Sequence, residues 1–148
     1  MNKLVVLAFL TLPSFLLLKN QSAEIEKTPV ASMQPSLKNG EAIFKKYCIS
    51  CHQADGGGVP HMTPSLIKSK YVTAEKDSVI KILLNGLQGR EINGQTYNNP
   101  MPPLGAVLKD KEIADVLTYV RNSFGNKASA ITESDVKKAR GNANTASK

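Results

Sequence analysis

The chain of 148 residues has only two cysteines, and they stand three apart with a histidine directly after the second: Cys48-Ile49-Ser50-Cys51-His52. A disulfide framework for a small secreted fold needs more cysteines at wider spacing. A thioredoxin-type pair needs a βαβ setting, and no run of alternating apolar residues supplies one. A zinc site that added His61 lacks a properly spaced second ligand pair, and a plain disulfide leaves His52 without a role. Covalent attachment of a porphyrin fits all five positions. On one helical turn the two thiols lie on the same side and can add to the two vinyl groups of one porphyrin edge, and the next side chain then points an imidazole at the iron. The spacing predicts one haem c, bonded through Cys48 and Cys51 and ligated by His52.

Such a group would also supply apolar surface that the chain lacks. Hydrophobic residues make up 41% of the sequence, aromatic residues 5%, and tryptophan is absent. Part of that 41% is spent at the N-terminus, MNKLVVLAFLTLPSFLLL. Its apolar run from Leu4 to Leu18 would span roughly 22 Å as a helix, short of a hydrocarbon core of roughly 30 Å, and Pro13 interrupts it. Residues 1–23 are expected to be a signal peptide cleaved near Ala23, with an uncleaved anchor as the alternative. Residues 24–36 are polar, hold Pro29 and Pro35, and read as a flexible linker.

Beyond the linker the chain reads as all-α, with three main helices and a short C-terminal one around the haem. Ser36 is the expected cap of the first helix, whose face carries Leu37, Gly40, Phe44 and Tyr47. Gly40 costs about 1 kcal/mol against alanine in a helix, so its presence points to close packing. The second helix is expected from Ala74 to Leu87, ending at Asn85-Gly86. The third is expected from a cap at Asp110 to Gly125, with Ile113, Val116, Leu117, Tyr119, Val120 and Phe124 on its apolar side. Residues 126–148 are expected as an extension, with a short helix from Thr132 to Arg140 and a disordered tail.

The iron's sixth position must come from elsewhere in the chain. Met101 stands between Pro100 and Pro102-Pro103 in a long irregular loop, GREINGQTYNNPMPPLG, that also holds an Asn93-Gly94 turn. Prolines fix φ there and can hold a side chain in one direction. Met62 and His61 are the alternatives, but they follow His52 so soon that either would have to wrap the ring edge. A ligating histidine donates its other ring N–H to an acceptor, and the Pro64 carbonyl is the candidate. Leu66, Ile80, Leu84 and Leu104 are expected to wall the pocket.

These residues resemble the class I c-type cytochromes, and most closely the small bacterial mono-haem cytochromes that accompany periplasmic dehydrogenases and respiratory oxidases. The resemblance covers residues 37–125. It rests on Cys48, Cys51 and His52, on Gly40 and Phe44 of the first helix with Val116 and Tyr119 of the last, on Thr63-Pro64-Ser65-Leu66, and on NGQTYNNPMPPLG. It implies the cytochrome c fold, the Pro64 carbonyl as acceptor for His52, Leu66 packed on the haem, Met101 as sixth ligand, and Tyr97 near the haem or a propionate. The lack of tryptophan removes an indole–propionate contact seen in some relatives.

With His52 and Met101 filling both axial positions, the expected role is that of an electron carrier rather than an enzyme. Two alternatives are a haem enzyme or gas sensor with an open or labile sixth position, and a tethered haem subunit of a larger oxidoreductase. The formal charge is +7, and it falls by two when Lys3 and Lys19 leave with the signal peptide. Basic residues are scattered rather than gathered with aromatics, which argues against nucleic acid. They suit redox partners, a donor and an acceptor, with acidic docking patches. The expected location is the periplasm, with membrane contact only if the N-terminal segment is retained.

Overall fold

The computed structural model describes the backbone of residues 29–145 and the side chains of residues 33–141. The expected signal peptide, the start of the linker and the last three residues lie outside that range. The elements are α1 (Pro29–Tyr47), α2 (Ile49–His52), α3 (Lys70–Thr73), α4 (Lys76–Asn85), β1 (Glu91–Ile92), β2 (Gln95–Thr96), α5 (Asp110–Arg121) and α6 (Glu133–Thr145).

Helix α1 begins seven residues before the expected cap at Ser36. Pro29 is at home in a first helical turn, where its missing N–H would have no partner anyway. Pro35 lies inside the helix on its exposed side. Prolines that read as linker punctuation are therefore carried by the helix, whose following turns pack on α5. At the crossing, a Cβ on Gly40 would stand 2.1 Å from the Asp115 carbonyl oxygen and 2.6 Å from the Tyr119 Cβ. The close approach expected from Gly40 is present. One turn further on, Phe44 is 2% exposed and its ring centroid lies 5.6 Å from that of Tyr119 and 5.2 Å from that of Phe124.

Helix α5 starts one residue earlier than a cap at Asp110 would set it: Asp110 is its first residue and Lys109 its cap, the Lys109 N–H donating to Glu112 Oε2 at 2.8 Å. It ends at Arg121, short of the expected stop at Gly125. Phe124 and Gly125 take φ of 56° and 75°, and that reversal folds the Phe124 ring back onto Phe44 and Tyr119. Helix α4 ends at Gly86, whose φ is 76°. The Asn93-Gly94 turn closes a two-stranded antiparallel ladder that pairs Glu91 with Thr96 and Ile92 with Gln95. The strands are two residues long, too short for alternation to show in sequence.

The segment after residue 125 is part of the core. Thr118 Oγ1 donates to the Ile131 carbonyl at 3.1 Å and accepts from the Ile131 N–H at 2.9 Å. Val136 and Ala139 are 0% and 1% exposed, packed with α6 against α4 and α5. Thr132 and Asp135 cap α6 reciprocally. The helix runs to Thr145, past the expected end at Arg140 and through most of the expected tail.

Candidate functional site

The cysteine turn continues α1 with little break in the helical ladder. The Cys48 N–H donates to the Phe44 carbonyl at 2.9 Å, the His52 N–H to the Cys48 carbonyl at 2.9 Å, and the Gln53 N–H to the Ile49 carbonyl at 2.9 Å. Cys48 and Cys51 are both free thiols; Cys48 is half-buried and Cys51 exposed. Burial pushes the Cys48 thiol up to about 11, with the neighbouring Cys51 adding to the shift. Cys48 is therefore a neutral thiol at physiological pH.

His52 Nδ1 lies 3.2 Å from the Pro64 carbonyl oxygen. A carbonyl oxygen only accepts, so Nδ1 carries the hydrogen. Burial lowers the pKa of His52, and the Pro64 bond opposes that shift. The neutral ring that results carries its lone pair on Nε2. This tautomer is the one a metal ligand needs.

Two cavities of about 180 Å³ and about 110 Å³ adjoin this turn, and both are lined by Cys48, His52, Pro64, Leu87, Ile92 and Met101. The larger reaches the surface past Cys51, Arg90, Tyr97 and Pro100. The smaller extends inward between Phe44, Leu66, Val79, Leu83 and Val116, with carbon on nearly every side. Met101, half-buried on a loop 49 residues after His52, thus lines both cavities that His52 lines. The Met101 and Leu87 backbones exchange hydrogen bonds of 2.8 and 3.0 Å, which fixes the loop at that point.

The other expected residues divide. Leu66 and Leu104 line the cavities, Leu66 the inner and Leu104 the outer. Ile80 and Leu84 line neither, correcting their expected place in the wall. Helix α4 is packed on two sides, and it turns Val79, Ile82 and Leu83 to the cavity while Ile80 and Leu84 are buried on its other flank. His61 and Met62 are exposed, Met62 by 46%, and line neither cavity. Tyr97 lines the outer cavity, and its hydroxyl donates to Gln95 Oε1 at 3.1 Å.

Sequence reasoning missed Leu87, Ile92 and Asn126. Only the helical spacing of Val79, Ile82, Leu83 and Leu87 could have flagged the first of these. Asn126 is 8% exposed; its Nδ2 donates to the Leu66 and Val120 carbonyls at 2.9 and 3.0 Å, and its Oδ1 accepts from the Ser69 N–H at 2.9 Å. It ties the loop after Pro64 to the end of α5.

The donor set fits the group that the cysteine turn implies: two unbonded thiols on one turn, a neutral imidazole with Nε2 free, a thioether, and a wall of aliphatic carbon. Among the described residues no group of three or more His, Cys, Asp and Glu side chains is placed to hold a metal ion on its own.

Comparison with known proteins agrees with this chemistry. The family model described as cytochrome c matches residues 37–124. The chain is 35% identical over 103 residues to the cytochrome c subunit of a quinone-type alcohol dehydrogenase from Gluconacetobacter polyoxogenes, covering 68% of this chain and 22% of that subunit. It is 31% identical over 102 residues to the gluconate 2-dehydrogenase cytochrome c subunit of Pantoea cypripedii, covering 67% of this chain and 23% of the subunit. The chain therefore matches less than a quarter of either dehydrogenase subunit. Against cytochrome c-552 of Thermus thermophilus it is 35% identical over 112 residues, which is 69% of this chain and 84% of that protein. From this match and the intact attachment turn, the chain belongs to the cytochrome c family and binds one haem c through Cys48 and Cys51.

Proposed function

We propose that the chain is an exported, periplasmic carrier of single electrons, with His52 and Met101 as the two axial ligands of its haem. The observation that carries this reading is the His52 Nδ1–Pro64 bond, which leaves Nε2 free at cavities that Met101 also lines. The bound group supplies one-electron chemistry, iron passing between its ferric and ferrous states. The protein's part is to hold both axial positions filled, so that no substrate reaches the metal. Leu66, Val79, Leu83, Val116 and Ile92 keep water from the inner face and disfavour the extra positive charge of the oxidised state. A thioether opposite an imidazole raises the reduction potential in the same direction.

The exposed side of the site lies near Cys51, Ser50 and Pro100, so a partner docking there would need only a short transfer distance. Arg90 lines the outer cavity, and Lys46 lies 4.9 Å from the centre of the Tyr47 ring, which lines it too. These cations suit an acidic patch on the partner. Two relatives are cytochrome subunits of dehydrogenases, and a dehydrogenase is accordingly the proposed class of electron donor. Export rests on residues 1–18; among the described residues, no helix is long and apolar enough to cross a membrane.

The test is spectroscopic. Holoprotein matured in a host that attaches haem should give a pyridine haemochrome spectrum of the c type and one haem by mass. Met101→Ala should keep the haem, lower the potential, and bind carbon monoxide or cyanide far faster than wild type. Rapid carbon monoxide binding by the wild type would instead indicate an open site, as in a sensor or enzyme. An unchanged Met101→Ala spectrum would remove Met101 from the iron.

A further inference from the structure

The family match stops at residue 124, yet α6 reaches back to the loop that carries Met101. Arg140 Nη1 donates to the Gly105 carbonyl at 2.7 Å, and Nη2 donates to the Leu108 carbonyl at 2.9 Å. Its Nε donates to Asp110 Oδ1 at 2.5 Å. Two of the acceptors belong to the short stretch between Met101 and α5, and the third, Asp110, is the first residue of α5. On its other side that stretch hangs from the end of α4. The Leu104 N–H donates to the Leu83 carbonyl at 2.9 Å and the Gly105 N–H to the Leu84 carbonyl at 3.2 Å. The last turn of α4 thus finds donors for its free carbonyls, and the loop finds its own donors in one guanidinium.

The three layers fit with no slack. A Cβ on Gly105 would lie 2.7 Å from the Leu84 carbonyl oxygen and 3.4 Å from Arg140 Nη1. A surface arginine held by one carboxylate would leave most of its donors to water, whereas here the planar fork spends three on protein acceptors in fixed directions. The Arg140 side chain is 33% exposed, and Asp110 is 22% exposed.

We propose that Arg140 is a positioning residue for Met101: by fixing the Gly105 and Leu108 carbonyls and Asp110, it holds the distal loop in place, and α6 thereby sets how readily the sixth axial position opens. This rests on Met101 being the sixth ligand. The loop takes two backbone hydrogen bonds at the end of α4 and two more at Leu87 just beyond it, whereas its hydrogen bonds from α6, among the described residues, all come from Arg140. A single substitution therefore frees one face of the loop while the cysteine turn and the His52–Pro64 bond keep their own hydrogen bonds.

The experiment uses ferric holoprotein and cyanide. It compares wild type, Arg140→Ala, Arg140→Lys, Val136→Ala and Met101→Ala, with global stability measured by denaturant for each. Val136 is 0% exposed on the same helix, and truncating it weakens α6 packing without removing the guanidinium. Arg140→Ala should bind cyanide about tenfold faster, equivalent to about 1.4 kcal/mol, and should lose the red-region sulfur-to-iron band at a lower pH. Arg140→Lys should recover part of the effect, since one ammonium cannot span three acceptors. Val136→Ala should stay within about twofold of wild type despite its lower stability. The proposal is overturned if Arg140→Ala matches wild type, or if Val136→Ala accelerates binding as much at equal loss of stability. If Met101→Ala binds cyanide no faster than wild type, the axial assignment itself is wrong and this proposal goes with it.

Discussion

Gly40→Ala sets two effects of opposite sign against each other, and the geometry fixes which is larger. Alanine in the middle of α1 would gain about 1 kcal/mol of helix propensity over glycine. Its Cβ, however, would stand 2.1 Å from the Asp115 carbonyl oxygen and 2.7 Å from the Asp115 carbonyl carbon, where ordinary contact begins at 3.4 Å. The shortfall is about 1.3 Å against backbone, which no rotamer change can relieve. Helices α1 and α5 must move apart at the place where Asp115 also accepts from Asn39 Nδ2 at 3.3 Å. Overpacking of this kind costs about 1–3 kcal/mol, and the separation also loosens the contacts among Phe44, Tyr119 and Phe124. A net destabilisation of about 1 kcal/mol follows from these two terms, or roughly 4 °C in Tm for a domain of this size, and the loosened aromatic contacts add to it. Denaturant unfolding of the holoprotein, followed by far-ultraviolet circular dichroism, measures it with haem attachment unchanged. A variant stabilised by the propensity term would show that α1 and α5 do not meet this closely.

Two further substitutions probe the loop behind His52 and the cap of α6. Gly58 has φ of 69°, and a Cβ there would meet the Thr63 and Pro64 carbonyl oxygens at 2.4 and 2.8 Å. Gly58→Ala should therefore displace the His52 acceptor, costing about 2 kcal/mol of stability and speeding exchange of the His52 ring N–H in proton NMR; an unaltered exchange rate would refute that link. Asp135 is held below the ordinary carboxylate range, chiefly by the Thr132 N–H and then by Lys76. A lowered folded pKa means stability present in full above the unfolded value of about 3.9 and lost as pH falls through the folded one. Asp135→Asn should cost about 1 kcal/mol at neutral pH, a cap's worth with little from the part-exposed ion pair, and the gap to wild type should close in acid. A gap that does not change with pH would mean that the carboxylate's charge is not what caps α6.

The parts legible in sequence are those whose chemistry is local. The cysteine turn needs only five consecutive residues, so the family and the cofactor follow from it. Gly40 betrays the α1–α5 crossing because a glycine in a helical pattern demands a reason. Helix α4 marks the limit of such reasoning. Its stripe of Val79, Ile80, Leu83 and Leu84 announces burial, but the helix is packed on two sides. Periodicity gives no sign that Val79 and Leu83 face the cavity while Ile80 and Leu84 face away. Prolines hid the first turns of α1, and Asn126, in a segment that reads as a polar extension, carries no pattern at all. Arg140 was invisible for a plainer reason: its acceptors lie 30 to 35 residues away and two of them are carbonyls, which any residue could supply.

The same division applies to the two axial positions. His52 and its acceptor Pro64 are 12 residues apart within one loop that leaves and rejoins the cysteine turn. Covalent attachment at Cys48 and Cys51 further fixes that side, whatever happens elsewhere. Met101 has no comparable local support. Its loop is placed by backbone bonds to Leu83, Leu84 and Leu87 and by a guanidinium from α6, so its position depends on elements distant in sequence. Loss of the Arg140 fork, or of the loop's backbone bonds to Leu83, Leu84 and Leu87, should reach Met101 before it reaches His52. In partial unfolding the thioether should therefore leave the iron while the imidazole and both thioether links hold, and the C-terminal half of the chain rather than the haem-attachment turn sets the ease of that first step.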